Sequence, residues 1–180
     1  DFDRPYRISK VQNDLKSIDE IEIVEGWSYA PSQVILSNGR IGETVRLIGP
    51  PIDSEMIQAE LISGRWLLQG DRNAIVLNEV FQTNFPNLEI GDSLKLMVNN
   101  EETFWKIVGF FQLAGKSTGF IAYTDFDSLA KYNNSKYHTM LYRIAARTDN
   151  LSIVQQKQLA QEISVQLKGK GYHILQVEAG

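Results

Sequence analysis

The chain has 180 residues, 43% hydrophobic and 22% charged, a composition that can bury a core without metal or disulfide support. Its net charge is −4 and its 18 basic residues form no dense run, which argues against a nucleic-acid partner, because phosphate contacts need a basic patch. The absence of cysteine excludes disulfides, thiolate catalysis and zinc–thiolate centres while leaving the compartment open.

The length suits one domain, or two small ones sharing an interface. Ser9 to Ser17 reads as a short helix, with Val11 and Leu15 four apart on one face. Glu20 to Val24 alternates as a half-buried strand, continued by Trp27 and Tyr29. Gln33 to Leu36 is a second strand, and Ser37-Asn38-Gly39 turns it into a third at Thr44 to Ile48. Gly49-Pro50-Pro51 stops that strand, and Asp53 to Leu61 is expected to form one or two helical turns capped by Asp53 or Ser54.

"SGRWLLQGDRNAIVLNEVF", Ser63 to Phe81, packs two glycine turns, a tryptophan and a charged pair into a few residues before an apolar run. Gly64 and Gly70 are free to take left-handed backbone, and Ala74 to Leu77 reads as a strand covered on both faces. Glu79 to Phe85 follows as a short helix with Val80 and Phe81 inward. Leu94, Leu96 and Val98 then alternate, Asn99 to Glu102 turns the chain, and "TFWKIVGFF" returns. This β-hairpin is expected to be strongly twisted, with bulges at Gly91 and Gly109, in a small barrel or sandwich. Gln112 to Gly119 reads as a loop.

Phe120 to Tyr123 is a strand, and Thr124 with Asp127 has capping-box spacing for the next helix. Thr139 to Ala146 is a strand with Met140, Tyr142, Ile144 and Ala146 on one face. The longest helix begins at Asn150 or Ser152 and runs to about Lys168, with Ile153, Ala160, Ile163 and Leu167 on its inner stripe. Gly169 or Gly171 caps it, and Tyr172 to Val177 is expected as a final strand. The fold class is therefore α+β. Residues 1–85 and 113–180 form a mixed α/β part, and 86–112 form the core of an inserted β-rich lobe.

Catalytic signatures are scarce. His138 and His173 lie 35 positions apart outside any HExxH pattern, and no GxSxG elbow exists. Asp125 and Asp127 follow a strand and fit a helix cap. "GKSTG" at Gly115 to Gly119 lacks the first glycine and the following helix of a phosphate loop. Of Phe104, Trp105, Phe110 and Phe111, two are expected in the core and two packing against the α+β part. A secreted hydrolase, or a carbohydrate- or ligand-binding module built from scattered acids and aromatics, is the alternative function.

Five motifs occur in order: Gly64-Arg65-Trp66, Gly70-Asp71, Ile75-Val76-Leu77-Asn78-Glu79, Gly91-Asp92-Ser93-Leu94-Lys95-Leu96 and Lys106-Ile107-Val108-Gly109-Phe110. This order resembles the extracytoplasmic core domain of MacB-type ABC-transporter permeases, the group that includes FtsX-like and lipoprotein-releasing permeases. The match covers Leu61 to Phe111 well, departing at Phe110-Phe111 and in the "TNFPNLEIG" spacer. The resemblance implies a porter-like α+β subdomain with an inserted β lobe, held between two membrane helices outside this chain. It implies no catalytic residue, no cofactor and no metal. It implies as partners the permease's own transmembrane segments, a cytoplasmic ATPase subunit or domain, a second permease copy in the membrane and a periplasmic protein. It places the domain outside the cell membrane and gives it the task of transmitting conformational change during export or lipoprotein release. A start at Asp1 without methionine fits an excised or processed piece. The interlobe candidates are Gly64, Arg65, Trp66, Gly70, Asp71, Gly91, Asp92 and Gly109, with Gly64 to Asp71 and Gln112 to Gly119 expected near the crossings.

Overall fold

A computed structural model describes residues 1–57, 59–113, 119–148 and 150–178. In chain order the elements are β1 (Tyr6–Arg7), α1 (Ile8–Leu15), β2 (Ile21–Ile35), β3 (Ile41–Gly49), β4 (Ala59–Gly64), β5 (Ala74–Asn78) and α2 (Glu79–Asn84), then β6 (Ser93–Val98), β7 (Glu101–Leu113), β8 (Phe120–Tyr123), α3 (Phe126–Asn133), β9 (His138–Thr139), β10 (Leu141–Ala146) and α4 (Ile153–Gly169). The fold is α+β with a dominant β-rich part, as the sequence predicts. Among the described residues no helix is long and apolar enough to cross a membrane.

The chain divides into two compact units, Asp1–Trp27 with Tyr137–Gly180, and Ser28–Lys136. In the first, the Ile21–Trp27 part of β2 pairs antiparallel with β10, and β1 pairs with β9. Val11 and Leu15 of α1 meet Ile163 and Leu167 of α4, with Phe2, Ile21 and Tyr172 filling the same core. The α4 start is well specified. Ser152 and Gln155 form a reciprocal capping box that satisfies two backbone donors.

The second unit is a closed barrel. Its part of β2 pairs with β3, β3 runs parallel to β8, β8 antiparallel to β5, and β5 parallel to β7. β7 forms the predicted hairpin with β6, and β6 pairs back onto Ser32–Val34 of β2. The ring of six strands therefore has no free edge, and β4 adds to β7 beyond it. Asn99 and Asn100, both at positive φ, make the tight turn between β6 and β7. All five residues of β5 are buried, as a strand between two neighbours and under cover requires. The barrel core holds Val45, Leu47, Ile75, Leu77, Leu96 and Trp105, joined by Phe81 of α2 and Leu129 of α3. Trp105 is fully buried, and its indole N–H donates to Thr103 Oγ1 at 2.7 Å, so no donor is stranded.

Several expectations are corrected. Among the described residues of 53–61 none is helical. Ser54 Oγ accepts from the Met56 N–H in a local turn, which competes with a helix cap, and the segment runs into β4. Tyr172 to Val177 is not a strand; it makes one bridge, Phe2 to Ile174, and backbone bonds to Asp1. Ile153 is 70% exposed, so it stands apart from the buried Ile163 and Leu167 of its predicted stripe, and Met140, 43% exposed, lies outside β10. Three of the four hairpin aromatics are buried, and only Phe104 faces out, stacked under Lys95. The helix α3 is capped by Asp125, which accepts from the Ser128 N–H at 2.8 Å. Thr124 donates to the buried Ala74 carbonyl. The 86–112 hairpin bonds to β4 and β5 as well as to β2, so the compact unit that contains it extends over Ser28–Lys136.

Candidate functional site

Gly64 stands opposite Gly109 in the β4–β7 ladder. A methyl group on Gly109 would lie 2.3 Å from the Arg65 carbonyl oxygen, and one on Gly64 2.4 Å from the Val108 carbonyl oxygen. Two bare backbones therefore touch here, and side chains are excluded by contact. Gly64 also has φ +75°, a conformation that glycine adopts freely. The Arg65 N–H donates to the Val108 oxygen at 2.9 Å and extends the pairing past Gly64. Opposite β5, the pairing skips from Ile107 to Gly109, the bulge predicted at this glycine.

Arg65 grips Asp71 through two hydrogen bonds of 2.8 and 2.9 Å, and a third from the same guanidinium reaches the Trp66 carbonyl. The Arg65 contact holds the Asp71 carboxyl below the ordinary carboxylate range. Asp71 also accepts from the Leu68 N–H at 2.9 Å, and its own N–H returns to the Leu68 carbonyl. Gly70, at φ +92°, occupies the third position of this four-residue turn, where glycine is favoured. Trp66 is half-buried, its ring edge-on to Phe111 at 5.9 Å and tilted on Tyr123 at 5.6 Å.

Gly91 and Asp92 repeat the device. Asp92 accepts from the Glu89 N–H at 2.9 Å, its N–H returns to the Glu89 carbonyl, and Gly91 has φ +97°. The Gly91 N–H then donates to the Ile107 carbonyl, and the Ile107 N–H donates to the Asp92 carbonyl. Three motifs separated in sequence, Gly64-Arg65, Gly91-Asp92 and Ile107-Val108-Gly109, thus meet at one backbone junction. Gly70 and Asp71 join it through Arg65. All eight candidate residues lie within Ser28–Lys136, whereas the chain passes between units at 27/28 and 136/137.

The remaining titratable groups are dispersed. His138 is exposed on β9 and His173 exposed beyond α4. Among the described residues no group of three or more His, Asp or Glu side chains is placed to hold a metal ion. Of the "GKSTG" segment, 115–118 lie outside the described residues. One polar cluster escaped sequence reasoning. Asp14 accepts from Tyr172 Oη at 2.6 Å, from Lys10 at 3.1 Å and from Lys170 at 3.3 Å. The Tyr172 hydroxyl and the two ammonium groups hold its carboxyl below the usual range. The partners are up to 158 positions apart, so no local pattern announces them. The arrangement ties α1 to the end of α4.

No family profile matches the chain, and no curated protein sequence matches it. Solved structures do. The periplasmic region of MacB from Actinobacillus actinomycetemcomitans superposes with a TM-score of 0.57 at 16% identity, covering 91% of this chain and 76% of that one. The extracellular domain of the noncanonic ABC-type transporter YknZ from Gram-positive bacteria gives 0.56 at 14% identity, over 93% of this chain and 86% of that one. A domain of a protein named as a permease, from Porphyromonas gingivalis, gives 0.51 at 15% identity, over 88% and 74%. At such identities the likeness is one of architecture, and it spans nearly all of both units. The chain therefore has the fold of the extracytoplasmic domains of MacB-type ABC-transporter permeases.

Proposed function

We propose that this chain is the non-catalytic extracytoplasmic domain of an ABC-transporter permease, passing conformational change from the membrane to a substrate or partner outside. The observation that carries the reading is the backbone junction. Three of the five motifs that resemble the permease family, those at Gly64-Arg65, Gly91-Asp92 and Ile107-Val108-Gly109, supply the residues that knit β4, β7 and the Gly91-Asp92 turn together. They serve rigidity, and a part that transmits displacement needs rigidity more than a reactive group. The fold likeness to two transporter domains supports the same reading. In this proposal the unit built from the chain ends is the porter-like part, and the barrel is the inserted lobe. The cytoplasmic ATPase, a second permease copy and a periplasmic protein are its partners.

The test uses the full permease with its ATPase in membranes. Replacing the domain by a short flexible linker should leave ATP hydrolysis running while substrate export or release is lost. Undiminished transport without the domain would refute the proposal, as would turnover of an ester or glycoside panel by the isolated domain.

A further inference from the structure

The stretch between β4 and β5 is tied to itself. Among the described residues, every hydrogen bond made by Trp66–Asp71 closes within Arg65–Asp71: the Arg65 guanidinium to the Trp66 carbonyl and to Asp71, the Leu68 N–H to Asp71, and the Asp71 N–H to Leu68. Its grip on the barrel is apolar. Trp66 rests on Phe111 and Tyr123, and Leu67 is buried. Both ends are firmly fixed and sit beside left-handed residues. At one end the Arg65 N–H bonds Val108 next to Gly64 at φ +75°. At the other, Asn73 at φ +49° donates to Ser128, Phe104 and Tyr132.

We propose that Trp66–Arg72 is a flap that lifts as one body on these two ends, uncovering the Phe111 and Tyr123 rings while the barrel stays folded. The two Leu68–Asp71 bonds lie inside the loop and move with it, and the three from Arg65 run through a long side chain that swings with the loop while the Arg65 backbone stays paired. Lifting gives up only the apolar contacts of Trp66 and Leu67, far less than global unfolding exposes. Lys106 adds an electrostatic attraction to Asp71 that weakens with distance and salt. The proposal is independent of the transport reading.

The chain has no cysteine, so one introduced thiol reports a single position. Leu67→Cys places it under the flap and Ile107→Cys in the barrel core. Thiol labelling across urea concentrations below the unfolding transition gives an opening constant for each. Backbone hydrogen exchange of the unmodified chain gives those of the Leu68 and Asp71 amides. The expected result is at least tenfold more frequent opening at Leu67→Cys than at Ile107→Cys, with little urea dependence. Leu68 and Asp71 should stay protected at least tenfold beyond that opening. Equal constants and urea slopes for the two thiols would mean that the flap moves only on global unfolding. Amides that open as often as the Leu67→Cys thiol would mean fraying, not a lifted body. Either result overturns the proposal. Should Leu67→Cys not fold, Phe111→Cys, a buried position under the Trp66 ring, reports the same opening.

Discussion

Three glycine-to-alanine substitutions separate steric contact from backbone strain at the junction. At Gly109 the added methyl meets the Arg65 oxygen at 2.3 Å and the Ser63 oxygen at 3.1 Å, both backbone atoms of the facing strand. Backbone cannot swing aside as a side-chain end can. Restoring van der Waals separation requires β4 and β7 to part by about 1 Å. That shift strains the pairing around Gly64 and the Arg65-to-Val108 hydrogen bond at 2.9 Å. The overpacking and one or two weakened bonds together cost about 2–4 kcal/mol. At Gly70 an alanine meets nothing within 4 Å, but φ is +92°, so the cost is left-handed strain alone, about 1 kcal/mol. Gly64 combines a 2.4 Å contact with φ +75°, and its alanine variant should lose about 3–5 kcal/mol or fail to fold. Urea melts of the isolated domain, compared at constant m, measure all three. The order Gly70, Gly109, Gly64 is the prediction. A Gly109→Ala variant within about 0.5 kcal/mol of the parent, or Gly70→Ala as damaging as Gly109→Ala, would refute the contact argument.

Trp66→Ala removes ring contacts with Phe111 and Tyr123 from a half-buried position, so it should cost about 2–3 kcal/mol by urea melt, less than a fully buried tryptophan. On the transport reading proposed above, the substitution should reduce transport by the full permease more than ATP hydrolysis; unchanged stability and unchanged transport would count against a coupling role for Trp66. Because Arg65 depresses the folded-state value of Asp71 below its unfolded value near 3.9, this carboxylate stabilises the fold above that pH and stops doing so as pH falls through the folded value. The parent should therefore lose stability faster than Asp71→Asn below about pH 4, by under about 1 kcal/mol since the pair is partly exposed, and parallel acid profiles would contradict this. Ser152→Ala removes one half of the capping box, and hydrogen exchange at the start of α4 should accelerate about fivefold, a loss of about 1 kcal/mol; an unchanged rate would show that packing alone holds the helix start.

Local patterns carried far. The α1 face, the α4 start at Ser152, the β6–β7 hairpin and the glycine turns were legible because each depends on residues within a few positions of one another. The order of the five motifs by itself resembles the permease domains. What the motifs do was not legible. Gly64 reads as a turn residue, yet its constraint comes from Gly109, far along the chain, because two backbones touch there. The helix expected at Asp53 failed because Ser54 satisfies a nearby amide in a turn. Ile153 faces solvent because the core of its unit is already filled by residues deeper in α4, Ile163 and Leu167. Barrel closure rests on Ser32–Val34 meeting Leu96–Val98, and the parallel pairs β3–β8 and β5–β7 join strands with no short connection. Composition and spacing determined which segments become helix or strand, since that choice follows local backbone preference and the period of apolar residues. Tertiary structure alone decided which strands pair, where the chain passes between units and which glycines must stay bare, because those depend on contacts between segments that sequence distance does not encode.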